Sequence, residues 1–177
     1  FSLDSRTLSI IKSEITRITN PFVNDIDMLN TFSPSESELS FSGFKEVLDM
    51  GKIVVLNMNI SEYTIVSKII ASYLKLDFQT EVLMRLNKNL SNNFRTAVFL
   101  CDEYHEYVTS SDAAFFSQSR EARCINIVST QSYTSLFNTL HDKNTTMMII
   151  QNLVNKLWLR TDDSFTVEEI QKQLGKI

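Results

Sequence analysis

The sequence of 177 residues predicts an α/β fold, a mostly parallel sheet flanked by helices on both faces. Three observations predict it. Short apolar runs rich in β-branched residues alternate with segments whose apolar residues recur every three or four positions. That alternation is the pattern of strands joined by crossover helices. The runs also end in polar residues, Asp102-Glu103, Thr130-Gln131 and Arg160-Thr161-Asp162, on the carboxyl edge where such sheets bind ligands.

From the amino end, Leu8, Ile11, Ile15 and Ile18 predict a helix over 4–19, capped by Asp4 or Ser5 and stopped at Asn20-Pro21. Residues 20–40 are polar and read as a loop, and Phe41 to Leu48 as a short helix. A strand is expected over Ile53–Met58, covered on both faces because four consecutive residues are apolar. Ser61 is the expected cap of a long helix reaching toward Leu86, with Val66, Ile69, Ile70, Tyr73 and Leu74 as its buried stripe. Asn87 to Asn93 reads as a polar turn. The strand Ala97–Cys101 follows, then a helix over 113–120 and the strand Cys124–Ser129. Helices are expected over 132–140 and 145–153, a fourth strand over Lys156–Arg160, and a last helix from Thr166. Thr166 and Glu169 have capping-box spacing, and Gly175 stands where a carboxyl cap belongs.

Composition bounds the chemistry. A net charge of −4 and a pI of about 5.2 argue against broad phosphate binding, which needs Lys and Arg in excess. Cys101 and Cys124 lie in apolar runs, which suits packing and a reducing compartment. No cysteine and histidine cluster has zinc spacing. No stretch approaches the length and apolarity of a membrane span, and no signal peptide opens the chain. An opening Phe suggests part of a longer protein.

An apolar strand running into Asp102-Glu103 is a Walker B pattern. The first carboxylate is fixed where a magnesium ion bridges nucleotide phosphates, and the second orients the attacking water. The same dipeptide also suits a plain polar turn. Gln131, at the end of the next strand, suits a γ-phosphate sensor or a surface residue. Arg120 suits an arginine finger or a solvated charge, and Arg123 is its near alternative. Tyr104, Tyr107 and Tyr133 suit base stacking or packing, with packing favoured. Trp158 is expected to pack; His105 suits contact with a nucleotide or a neighbour, or a surface role, with the surface favoured; and Asp162-Asp163 suits a cation or a turn, with the turn favoured.

The blocks AVFLCDEYHEYVT, FFSQSREARCINIVSTQSYTSL, QNLVNKLWLRTDD and TVEEIQKQLGK, in that order, resemble the TraG/TraD coupling proteins of conjugation and type IV secretion. The resemblance covers about 97–176, with a looser fit over 41–86. It implies a RecA-like P-loop NTPase half-domain over 41–177, from Walker B onward, with the TraM-recognition region. Residues 1–40 would be a helical segment and loop, the tail of an upstream insert. It implies ATP and Mg2+ as cofactors, with Asp102 on the metal through water, Glu103 polarising water, Gln131 sensing phosphate and Arg120 reaching a neighbouring subunit. The partners implied are single-stranded DNA, relaxase and relaxosome proteins, channel components and further copies of the chain in a hexamer. The location implied is the cytoplasmic side of a bacterial membrane, anchored through N-terminal segments outside these residues.

One departure qualifies this. No G-x-x-x-x-G-K-[ST] occurs; Gly51-Lys52 is followed by Ile53, and Glu46 holds the first glycine position. A Walker A loop is therefore expected upstream, and these residues alone are expected to be inactive. The competing expectations are a secretion ATPase of the TrbE/TraC kind, a translocase of the FtsK/HerA kind, and a docking module without hydrolysis.

Overall fold

A computed structural model describes residues 4–57, 63–87 and 95–175. The chain divides into two compact units, one of residues 1–42 with 59–67 and one of residues 43–58 with 68–177.

The first unit holds α1 (Ser5–Asn24) and α2 (Ile26–Phe32). Asp4 caps α1 by accepting from the backbone N–H groups of Arg6 and Thr7, each at 2.9 Å. The helix runs past the expected stop at Asn20-Pro21. Pro21 removes one N–H, yet its carbonyl still accepts from Asp25 N–H at 3.2 Å, so the last turn closes. The stripe Leu8, Ile11, Ile15 and Ile18 that predicts α1 stays exposed. The expected loop over 20–40 contains α2, which Asp25 caps through Asp27 N–H and Met28 N–H. Phe22 meets Phe32 edge-on, with centroids 5.7 Å apart. A single 3-10 turn, Glu36–Glu38, follows, closed by a capping box between Ser35 and Glu38.

The second unit opens with α3 (Phe44–Met50). Gly51 ends it in the left-handed region at φ 70°, where a Cβ would run into the Arg95 guanidinium. Lys52 pairs with Glu46. The Gly51-Lys52 pair is thus a helix cap and its ion pair. Next comes α4 (Thr64–Leu83), of which the second unit includes Lys68 onward, continued by a 3-10 turn over Met84–Asn87. The expected Ser61 cap, and most of the expected turn over Asn87 to Asn93, lie outside the described residues. Of the expected stripe of α4, Val66 and Ile70 are buried, Ile69 and Leu74 are half-buried, and Tyr73 departs from it. Tyr73 is 70% exposed, while Lys75, Phe78, Gln79 and Val82 are buried.

Two strands, β1 (Ala97–Cys101) and β2 (Cys124–Val128), pair in parallel, with Ala97 opposite Cys124 and Cys101 opposite Val128. Between them runs α5 (Asp112–Ser119), and after them come α6 (Tyr133–Leu140), α7 (Lys143–Asn152) and α8 (Ser164–Leu174). Phe78 of α4 stacks on Phe99 of β1 at 5.8 Å, and Phe44 of α3 meets Phe78 edge-on at 5.5 Å. Burial pushes the thiols of Cys101 and Cys124 up to about 11, and both cysteines are free.

The α/β class holds, but the sheet is smaller than expected and not covered on both faces. The expected strands over 53–58 and 156–160 form no ladder in the described residues, which take in 53–57. Ile53 is 90% exposed and Leu157 88%. A strand exists only where neighbouring backbone supplies its hydrogen bonds, and apolar composition cannot supply them. On the paired strands, Val98, Leu100, Ile125 and Ile127 share one exposed face.

Asp163 caps α8, which begins at Ser164, two residues ahead of the expected Thr166 start. Its carboxylate accepts from Thr166 N–H at 2.8 Å, from the Thr166 hydroxyl at 2.6 Å and from the Thr134 hydroxyl at 2.7 Å. Burial opposes its charge, but these hydrogen bonds outweigh burial and hold the carboxyl below the usual carboxylate range. A carboxyl depressed in the folded state contributes stability above its unfolded value, near pH 3.9, and loses it as pH falls through the lower folded value. Asp163→Asn keeps an acceptor but not the charge. It is expected to cost about 1 kcal/mol or less at neutral pH. Thermal melts of both proteins should converge below about pH 4.

Candidate nucleotide site at the sheet edge

The carboxyl ends of β1 and β2 bring Asp102, Glu103, Ser129 and Gln131 together. Parallel pairing in register does this, because both strands stop at the same level. Ser129 N–H donates to the Cys101 carbonyl at 3.0 Å, and Tyr104 N–H donates to the Ser129 carbonyl at 2.8 Å. The Ser129 hydroxyl donates to Asp102 Oδ1. Glu103 N–H lies 3.0 Å from that same oxygen and 3.3 Å from Ser129 Oγ. The Ser129 hydroxyl first, and the Glu103 N–H second, hold the Asp102 carboxyl below the usual carboxylate range. Asp102 is therefore a carboxylate at neutral pH, exposed at the sheet edge.

Glu103 adopts φ 46°, the left-handed region that a residue with a Cβ seldom enters. The turn that follows, Tyr104–Glu106, accounts for it, since Glu106 N–H donates back to the Glu103 carbonyl at 2.8 Å. The Gln131 amide donates to the Glu103 carboxylate at 3.3 Å and 3.5 Å. His105 Nδ1 stands 3.4 Å from the same carboxylate and 3.3 Å from the Thr130 hydroxyl. Its other ring nitrogen is 3.6 Å from Glu106. Lys68 pairs with Glu106 and holds that carboxyl below its usual range.

Arg120 does not join this group. It ends α5 and leads into β2, so it stands at the amino edge of the sheet. The five residues of β2 separate the two edges by roughly 16 Å at the usual rise per residue. Arg123, the alternative, precedes β2 directly at φ 55°. Within one chain the acid pair and the glutamine meet, and neither arginine reaches them.

Sequence reasoning misses Ser129, which it places only as the last residue of a strand. A hydroxyl two residues ahead of Gln131, at the level of Asp102, is the signal that could have found it. His105, expected at the surface, is half-buried, with its side chain 12% exposed. Tyr104 and Tyr133 are buried, which leaves neither ring open for stacking on a base, and Trp158 donates to the Tyr133 hydroxyl at 3.3 Å.

Asp102 and Ser129 offer hard oxygen atoms, the donor type that magnesium takes, and magnesium keeps waters and binds through one or two carboxylates plus phosphate. Among the described residues no group of three or more His, Cys, Asp or Glu side chains could hold a metal unaided. The donor set thus fits a hydrated ion shared with a phosphate ligand. No helix among the described residues is long and apolar enough to cross a membrane.

Comparison with known proteins yields no match among curated proteins and none among solved structures. A family model does match, over residues 10–177, and it describes the type IV secretion-system coupling protein DNA-binding domain. With that match covering nearly the whole chain, and with the ordered blocks around Asp102, Arg120 and Gln131, the chain belongs to the type IV secretion coupling proteins of the TraG/TraD type.

Proposed function

We propose that this domain serves an ATP-hydrolysing motor that moves single-stranded DNA, with its bound relaxase, toward a secretion channel. The observation that carries the reading is the meeting of Asp102, Glu103, Ser129 and Gln131 at one edge of a parallel pair, in a coupling-protein chain. Bound Mg2+ would supply charge neutralisation for the phosphates of ATP. Asp102 would hold such an ion through its water shell, and Ser129 keeps Asp102 ionised and aimed. Glu103 accepts a hydrogen bond from the attacking water and draws off its proton as the new bond to the γ-phosphorus forms and the bond from that phosphorus to the bridging oxygen breaks, with ADP as the leaving group. Gln131, which donates to Glu103, joins the carboxylate to the end of β2. This gives a path by which the phosphate state alters the strand end.

Arg120, on the opposite edge, is suited to a neighbouring subunit's nucleotide rather than its own. A hexamer on the cytoplasmic side of the membrane accommodates that geometry, with the phosphate-cradling loop supplied from outside these residues. A second reading, a docking module without hydrolysis, draws on the uncovered apolar face of Val98, Leu100, Ile125 and Ile127.

The test is ATP turnover by the full gene product, with and without single-stranded DNA. DNA-stimulated turnover supports the motor, and its absence favours docking. Arg120→Ala mixed into wild-type protein is expected to depress turnover by more than its molar share. Turnover that falls only in proportion to the added variant would remove Arg120 from the finger role.

A further inference from the structure

Directly behind the acid pair lies a buried polar cluster that the proposed chemistry does not use. Asp112, the first residue of α5, is fully buried. Its Oδ2 accepts from Lys75 Nζ at 2.6 Å, from the Tyr104 hydroxyl at 2.6 Å and from Thr109 N–H at 3.1 Å. Its Oδ1 accepts from the Gln79 amide at 2.9 Å and the Thr109 hydroxyl at 3.1 Å. Lys75 also donates to the Tyr107 carbonyl at 2.7 Å. The cluster ties α4, the turn after β1 and the start of α5 to one carboxylate.

Tyr104 is the member that touches the site, since it follows Glu103 directly. Its backbone is bonded to Ser129 at the end of β2, and its phenol to Asp112. Packing alone does not call for that phenol. The ring lies 5.9 Å from Phe116 in a fully buried slot that Phe would fill equally well, and a buried hydroxyl is costly unless bonded. The hydroxyl bond to Asp112 at one end and the backbone bond to Ser129 at the other instead fix the residue that follows the left-handed turn at Glu103.

We propose that Tyr104, through its hydrogen bond to Asp112, is a positioning residue that aims the Glu103 carboxylate. The proposal rests on the hydrolytic reading above. Small misplacements of a reacting group cost rate out of proportion to their size. The effect therefore falls on kcat and spares the binding of ATP.

The test compares the full gene product as wild type, Tyr104→Phe, Glu103→Gln and the double variant, by steady-state ATP turnover and thermal melting. Tyr104→Phe is expected to lower kcat about tenfold, with KM for ATP within about twofold and folding intact. On the Glu103→Gln background it is expected to lower the residual rate no further, because the group it aims is already disabled. Equal losses on both backgrounds would overturn the proposal, as would unchanged kcat in Tyr104→Phe beside an active wild type. A lowered melting midpoint with unchanged kcat per folded molecule would also overturn it. A wild type without turnover would sink the hydrolytic reading and this proposal with it.

Discussion

Glu103→Gln is expected to lower kcat for ATP by about 10²–10⁴-fold in the full gene product, the range for loss of a positioned general base. ATP binding is expected to survive. The substitution keeps the shape of the side chain and an oxygen facing the Gln131 amide, which now lies 3.3 Å from the carboxylate. It removes only the charge that draws a proton from water. Asp102, the residue suited to a hydrated ion, stays ionised, because its hydrogen bonds come from the Ser129 hydroxyl and a backbone N–H. Steady-state turnover beside equilibrium binding of a fluorescent ATP analogue separates the two effects. Normal turnover in this variant would remove Glu103 from the chemistry.

The largest effect on stability is expected from Asp112→Ala. Removing one partner of a buried ion pair leaves the other charge without compensation and costs about 3–5 kcal/mol. Lys75 is that partner, with its side chain 3% exposed. A urea titration should show the lower midpoint. Replacing both residues, Lys75→Met with Asp112→Leu, should recover only the part of the loss that comes from the stranded Lys75 charge, because the Tyr104 hydroxyl and the Gln79 amide still lose their acceptor. The deficit of Asp112→Ala should also shrink at alkaline pH. Burial already pulls the Lys75 ammonium below the usual lysine range, and Asp112 opposes that pull. Without Asp112 the lysine gives up its proton more readily. As pH rises through the folded value toward the unfolded one, the unfolded state binds more protons, so this group's contribution to stability rises with pH. A deficit that grows with pH would show that Lys75 is not the charge left behind.

Much of the candidate site is legible in the sequence. The run from Ala97 to Glu103 and the run from Cys124 to Gln131 each announce a strand with a polar end. The roles of Ser129 and His105 are not legible, because they depend on pairing register and on the turn after Glu103, neither of which is local in sequence. The Lys75–Asp112 cluster is hidden for a related reason. Periodicity counts apolar residues, and here a lysine and a glutamine occupy the buried face of α4 while Tyr73 faces solvent.

By itself the sequence determined the family, the order of its blocks, the α/β class and most of its helices, because caps, periodicity and turn residues act within a few positions. Tertiary structure alone decided which apolar runs became strands, which face of the sheet was covered, and which polar groups met. Ile53–Leu56 and Leu157–Leu159 have strand composition but no ladder partner among the described residues, whereas β1 and β2 have each other. The physical reason is that a strand, unlike a helix, draws its hydrogen bonds from residues far along the chain.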